Sequence, residues 1–180
     1  ESGPCCTYVG DNSAGHFVKM LHNGIEYGMM QAIAEAYDML RKVLRLSEEE
    51  IGHIFKRWND DELDSYLMEI SYKIMVHRDK ETGHPTIEQI LDKAGQKGTG
   101  KWTAQTSLDL GIPTPSLSAP VEGRVLSFFK DERKSLSRMY TKDYPRTSHN
   151  KEKLIGDLEN ALLFTYFMLF SQGLWLIEEA

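Results

Sequence analysis

The stretch GHFVKMLHNGIEYGMMQ, residues 15–31, decides how this chain is read. It reads as one helix with chemistry on one face. At 100° per residue, Lys19, Asn23 and Glu26 fall within about 60° of one another. Met30 continues the stripe, and His16 and Tyr27 flank it. Lys19 and Glu26 are two turns apart, roughly 10 Å along the axis. Helix side chains lean toward the N-terminus, so Glu26 leans back toward Lys19. A small polar molecule can lie along that face, amine at one end and carboxyl at the other. The competing reading is a solvated face, since a Lys and a Glu seven apart are common on exposed helices. Two features argue for the site. Gly24 and Gly28 sit mid-helix, where each costs about 1 kcal/mol relative to Ala. A four-residue glycine spacing signals that something approaches the backbone closely. His22 and Asn23 also interrupt a run that otherwise favours Leu, Met and Ile.

Outward from that helix, 180 residues make one domain the default and two possible. The composition, 41% hydrophobic and 27% charged, is that of an ordinary soluble chain. A formal net charge of -6 argues against general nucleic-acid binding but leaves room for a local basic pocket. The two cysteines, Cys5 and Cys6, are adjacent and cannot staple distant segments, which suits a cytoplasmic protein. No signal peptide, internal repeat or low-complexity tract is visible, and no initiator Met is present. The ends read as if cut from a longer protein.

The segment CCTYVGD predicts a short strand turning at Gly10 and Asp11. Asp11, Asn12 or Ser13 can cap the first helix, which runs to about Leu44 or Arg45. Ser47 followed by Glu48, Glu49 and Glu50 predicts a capping box and a second helix facing inward through Ile51, Ile54, Phe55 and Trp58. Asn59 to Asp61 break it and cap a third, through Leu63 to Met75. Residues 78–86 read as an exposed loop, and Thr86 or Ile87 to Ala94 as a short helix. A helix follows from about Lys101 to Leu110. Another, capped by Ser116 or Ser118, tolerates Pro120 in its first turn and runs to about Met139. Residues 140–150 read as a polar loop, with Asn150 capping the last helix from Lys151. Its stretch 161–177, ALLFTYFMLFSQGLWLI, is apolar on most sides. It is at the lower edge of length for a membrane span, and Ser171, Gln172 and Gly173 lie within it. The expectation is therefore a helix buried on all sides, in a large core or a dimer interface, and no membrane.

The second informative stretch is AGQKGTGKW, residues 94–102. It nearly matches the phosphate loop G-x-x-x-x-G-K-[ST], but Trp102 stands where a Ser or Thr must hold magnesium. A helical rather than strand pattern precedes it, so a nucleotide triphosphatase is rejected. Three glycines exposing backbone N–H groups, Lys97 and Lys101, the Thr99 hydroxyl and a following helix N-terminus still make a plausible anion site. The alternative is a flexible basic turn. Arg124, early in its helix, supports no functional claim alone.

Taken together, VGD…GHFVKMLHNGIEY, AGQKGTGKWT and EGRVLSFFKDER resemble the 6-phosphogluconate dehydrogenase family, decarboxylating NADP enzymes of the pentose phosphate pathway. The resemblance covers essentially all 180 residues, in the family's order. It implies an all-α fold: residues 1–180 would be a portion of the large multi-helix catalytic and dimerisation domain. The Rossmann domain that binds most of the NADP, and the far end of the helical domain, would lie outside them. Met29 departs from the family pattern, which has an acidic or other polar residue there.

By matching position, the resemblance assigns Lys19 as the base for the C3 hydroxyl and then as the acid on the 3-keto oxygen. Glu26 would protonate C1 of the enediol, giving ribulose 5-phosphate. His22 and Asn23 would orient the sugar, and Tyr27, Lys97, Thr99 and Arg124 would bind the 6-phosphate. No metal ligands are implied. The chemistry calls for a lowered pKa at Lys19 and a raised one at Glu26. The implied partners are 6-phosphogluconate and a second subunit in a homodimer, with no nucleic acid. These 180 residues alone are expected to be inactive. The alternative from another class is a noncatalytic helical binding or dimerisation module with the same anion pocket.

Overall fold

The computed structural model describes residues 6–140 and 150–180. Among them are eight helices: α1 (Ala14–Lys42), α2 (Glu48–Asn59), α3 (Tyr66–Val76), α4 (Thr86–Gln89), α5 (Thr99–Asp109), α6 (Pro115–Phe128), α7 (Lys130–Met139) and α8 (Lys151–Glu178). The all-α expectation holds; among the described residues the sole β feature is an isolated antiparallel bridge between Arg78 and Pro85. The strand expected at the N-terminus is absent from residues 6–10, and Cys5 lies outside the described residues. So does most of the polar loop expected at 140–150.

α1 is the longest element, at 29 residues, and the others are arranged around it. α8, α5 and α6 pack directly on it, while α2 and α3 form a hairpin beside its C-terminal half. α1 closes with Val43 as its C-cap, and the chain turns away where Arg45 adopts φ +55°. The core runs along α1 through Leu21, Met29, Ile33, Ala36 and Leu40, meeting Phe55 and Trp58 of α2 and Leu169 of α8. Met29 is buried, so an apolar residue suits that position.

The two glycines of α1 explain its close packing. A Cβ on Gly24 would lie 2.7 Å from Thr103 of α5, and one on Gly28 would lie 2.1 Å from Leu169 of α8. α8 returns the arrangement: a Cβ on Gly173 would lie 2.7 Å from Ile25. The spacing of four thus admits two different helices, one at each glycine.

The capping box on α2 forms as expected. Ser47 Oγ accepts from Glu50 N–H (3.3 Å), and Ser47 N–H donates to Glu50 Oε2 (2.9 Å). The Ser47 N–H and, at 3.0 Å, the Ser47 Oγ–H both donate to the Glu50 carboxylate and hold it below its usual pKa. A depressed carboxylate contributes stability above its unfolded pKa and loses it as the pH falls through the folded value. Ser47→Ala removes the cap on the Glu50 N–H and should cost about 1 kcal/mol at neutral pH, measured by urea denaturation. The difference from the unaltered chain should shrink in acid; a gap that widened there would contradict this account of the cap.

Several boundaries differ from expectation. α3 starts at Tyr66, because Ser65 is its cap and accepts from Met68 N–H. Asn59 instead accepts from Ser65 N–H, and Leu63 is buried in the intervening turn. α4 stops at Gln89, and Ile90 turns extended. α5 starts at Thr99 rather than Lys101. α6 starts at Pro115, which places Pro120 inside the helix rather than in its first turn. The helix expected to reach Met139 breaks at Phe129, with φ -80° and ψ 52°, into α6 and α7.

Asn150 caps α8 as expected, accepting from the N–H groups of Glu152 and Lys153. Within this chain α8 is buried on one face only. Leu162, Tyr166, Leu169, Gln172 and Leu176 face inward, and burial pushes the Tyr166 phenol up to about 12. Gln172 satisfies itself on the start of α6, accepting from Ser116 N–H (3.0 Å) and donating to Ser116 Oγ (3.2 Å). The opposite face carries Phe164, Phe167, Phe170, Leu174 and Trp175, all exposed. By length and composition alone, α8 is long and apolar enough to cross a membrane.

Candidate functional site

The polar face of α1 is built around His22. Its Nδ1 lies 3.1 Å from Lys19 Nζ, one turn toward the N-terminus, and 3.5 Å from Glu26 Oε2, one turn the other way. Asn23 Oδ1 is 3.4 Å from the same nitrogen. One imidazole nitrogen thus lies within reach of both the amine and the carboxylate expected to work together, and bonds one of them at a time. Lys19 and His22 are exposed, and Asn23 and Glu26 half-buried.

α5 brings the glycine-rich loop onto this face. Gly98 takes φ +106°, a left-handed conformation that a side chain would strain, and turns the loop into the first residue of α5. Thr99 then accepts a hydrogen bond from Asn23 Nδ2 at 3.3 Å. One turn further, Thr103 is fully buried and donates toward both Met20 O (3.1 Å) and Thr99 O (3.0 Å). It sits in the gap that Gly24 leaves. Gly100 leaves a second gap: a Cβ there would lie 2.5 Å from the Tyr27 ring. On that ring stacks the Arg124 guanidinium, 3.7 Å from its centroid. Arg124 also donates to Gly95 O at 2.6 Å and approaches Met30 Sδ at 3.6 Å.

Lys19, Asn23, Thr99, Tyr27 and Arg124 are thus connected from α1 through the start of α5 to α6, with His22 bridging Lys19 to Asn23 and Gly100 meeting Tyr27. Lys97 stands exposed at the loop's crest, between Gly95 and Gly98. The N-terminus of α5, the Thr99 hydroxyl and two cations near it suit an anion. An open groove of about 380 Å³ adjoins them, lined by Ser13, His16, Phe17, Lys19, Met20, Thr99 and Trp102. Lys19 and Thr99 share it; Glu26, two turns beyond Lys19, does not line it.

Sequence reasoning missed the far side of the loop. Asp92 pairs with both Lys130 and Arg133, which hold its carboxyl down to about 2. Ala94 N–H donates to Ser127 Oγ at 2.9 Å. The available signal was the three-residue spacing of polar side chains within EGRVLSFFKDER.

Comparison with known proteins gives a consistent result. The sequence model described as "6-phosphogluconate dehydrogenase, C-terminal domain" matches residues 15–180. The decarboxylating 6-phosphogluconate dehydrogenase of Lactococcus lactis subsp. lactis is 47% identical over 180 residues, which is all of this chain and 38% of that protein. The NADP(+)-dependent decarboxylating enzyme of Bacillus subtilis is 48% identical over 174 residues, 96% of this chain and 37% of its own length. Among solved structures, Plasmodium falciparum 6-phosphogluconate dehydrogenase superposes with a TM-score of 0.92 at 38% identity, covering 97% of this chain and 38% of that one. It has been solved in its apo form, with its cofactor NADP+ and with its substrate 6-phosphogluconate. This chain thus spans under two-fifths of the length of these relatives.

Proposed function

This chain belongs to the 6-phosphogluconate dehydrogenase family, matching its C-terminal domain, and on that premise we propose that it forms the substrate-side half of an NADP-dependent decarboxylating 6-phosphogluconate dehydrogenase. The observation that carries the reading is the docking of the glycine-rich loop on the Lys19 face, through Asn23 to Thr99 and through Gly100 to Tyr27. An amine, an imidazole and a carboxylate run along α1, and an anion site sits at one end of them. A sugar acid with a terminal phosphate has the matching order of groups.

The roles follow from position. Lys Nζ is the group that can take a proton from a secondary alcohol and return it to the ketone oxygen. Lys19 removes the C3 hydroxyl proton as hydride leaves that carbon. The same amine, now protonated, donates to the 3-keto oxygen as the β-carboxylate departs as carbon dioxide. Glu26 protonates C1 of the enediol, which yields ribulose 5-phosphate. His22 and Asn23 orient the sugar hydroxyls and carboxylate. Tyr27, Lys97, Thr99 and Arg124 hold the 6-phosphate, with Arg124 acting partly by bracing the loop at Gly95.

NADP, when bound, supplies the hydride acceptor. Phe17, Met20 and Trp102 line the groove beside Lys19 and would offer its nicotinamide an apolar surface. Among the described residues no strand–turn–helix is present to hold its phosphates. Expressed as these 180 residues alone, the protein should therefore give no NADPH from 6-phosphogluconate, because orientation supplies much of the acceleration. The deciding assay uses the full-length protein: NADPH and carbon dioxide should appear together from 6-phosphogluconate. Failure of either product to appear would end this reading.

The working unit is a homodimer in the cytoplasm, with neither membrane nor nucleic acid as partner. Support comes from the outer face of α8, where Phe164 (66% exposed), Phe167 (64%) and Leu174 (61%) stand in line with Trp175. Exposed apolar surface on this scale is uncommon unless it is covered in the assembly. Phe167→Glu combined with Leu174→Glu should convert the full-length dimer to monomer by light scattering. A dimer that persisted would place the interface elsewhere.

A further inference from the structure

Within EGRVLSFFKDER, residues 122–133, the site above uses Arg124 and leaves Ser127, Lys130 and Arg133 without a role. Each of the four, at every third position, reaches residues 92–95, where the chain enters the glycine-rich loop. Arg124 donates to Gly95 O (2.6 Å), and Ser127 Oγ accepts from Ala94 N–H (2.9 Å). Lys130 pairs with the Asp92 carboxylate. Arg133 donates to Asp92 Oδ2 (3.0 Å) and to Asp92 O (3.1 Å). On one continuous helix, residues three apart lag by about 60° per step, so four of them would spread over half the circumference. The break at Phe129 resets that drift and keeps Lys130 and Arg133 on the loop side. Arg133 also donates to Ser127 O (3.1 Å), in the last turn of α6, where carbonyls lack helical partners.

We propose that Asp92, Ser127, Lys130 and Arg133 are positioning residues: a clasp that holds residues 92–95 against α6 and α7, so that Lys97 and Thr99 are presented already ordered to the phosphate end of the substrate. The inference rests on the function proposed above. A loop with glycines at 95 and 98 loses much conformational freedom when it closes on a ligand. Ordering it beforehand lowers that cost and so strengthens binding. Lys19 and Glu26 are on α1 and do not depend on the clasp. Exposed ion pairs of this kind add little to global stability, so the clasp shows itself in binding rather than in melting. The Asp92 carboxyl, held down to about 2 chiefly by Lys130 and then Arg133, stays charged throughout the neutral range.

The test uses the full-length protein with Asp92→Asn, Arg133→Lys and Ser127→Ala, beside Lys97→Ala as a direct phosphate contact. Asp92→Asn should raise KM for 6-phosphogluconate roughly 10-fold. Its kcat and melting temperature should be little changed, the signature of lost uniform binding. Asp92→Glu should recover part of the loss. Arg133→Lys should fall between, because a lysine cannot reach both oxygens of Asp92 and Ser127 O together. An unchanged KM in Asp92→Asn, with KM raised in Lys97→Ala, overturns the clasp and leaves the functional reading intact. So does a lowered melting temperature with KM unchanged. No effect of Lys97→Ala on KM overturns the functional reading itself, and the clasp with it.

Discussion

Lys19→Ala in the full-length protein is expected to lose oxidation and decarboxylation together, with kcat/KM falling roughly 10³-fold or more. The amine is used twice, as base while hydride leaves and as acid while carbon dioxide leaves, so no partial reaction should survive. Glu26→Ala should behave differently. Its proton is needed only after decarboxylation, so a first turnover of NADPH should remain in rapid-mixing experiments while steady turnover falls. The structure sharpens the contrast, since His22 Nδ1 lies 3.1 Å from Lys19 and 3.5 Å from Glu26. Removing either partner leaves the imidazole beside the other. A burst of equal size in both variants would mean that the two groups do not divide the chemistry this way.

Gly24→Val should damage both stability and catalysis. Thr103 blocks the space and cannot swing aside, because it is fully buried and its hydroxyl is committed to Met20 O and Thr99 O. Overpacking at such a contact costs about 1–3 kcal/mol. The relief available is to push α5 away, which carries Thr99 off Asn23 and Gly100 off Tyr27. A displacement of about 1 Å at a substrate-positioning element can cost on the order of 10²-fold in rate. Gly28→Ala is the informative companion. Its obstacle is the end of the Leu169 side chain, also fully buried but on α8 rather than α5. It should lower the melting temperature while kinetic constants change little. Gly156→Ala meets nothing within 4 Å and should stabilise α8 by roughly 0.5–1 kcal/mol through helix propensity. Equal kinetic losses in the Gly24 and Gly28 variants would refute the idea that the site geometry depends on the seat of α5 and not on that of α8.

The parts of the molecule legible in the sequence are those fixed by local rules. The cap at Ser47, the cap at Asn150 and the span of α1 depend on neighbours a few residues away, and all three were readable. The glycines at 24 and 28 announced a close approach without saying of what; only the fold shows two separate helices there. The break at Phe129 was invisible because no Gly or Pro marks it, and what it serves lies at residue 92. Asp92 and Arg133 were equally opaque. Each alone reads as solvated surface, and 41 positions separate them. Which face of α8 its own chain covers was not readable, because a helix apolar nearly all round gives no hint of that from pattern alone.

The contact between Gly100 and Tyr27 also makes the site visible to a spectrometer. A hydrogen stands on Gly100 where a Cβ would come within 2.5 Å of the aromatic ring. That hydrogen sits in the ring's local magnetic field, so its nuclear resonance should be displaced from that of a glycine in an unstructured peptide. The displacement lasts only while the loop rests on α1. Following one glycine signal through a titration with 6-phosphogluconate, or through the clasp variants, would report loop docking without an added probe and without any catalytic turnover.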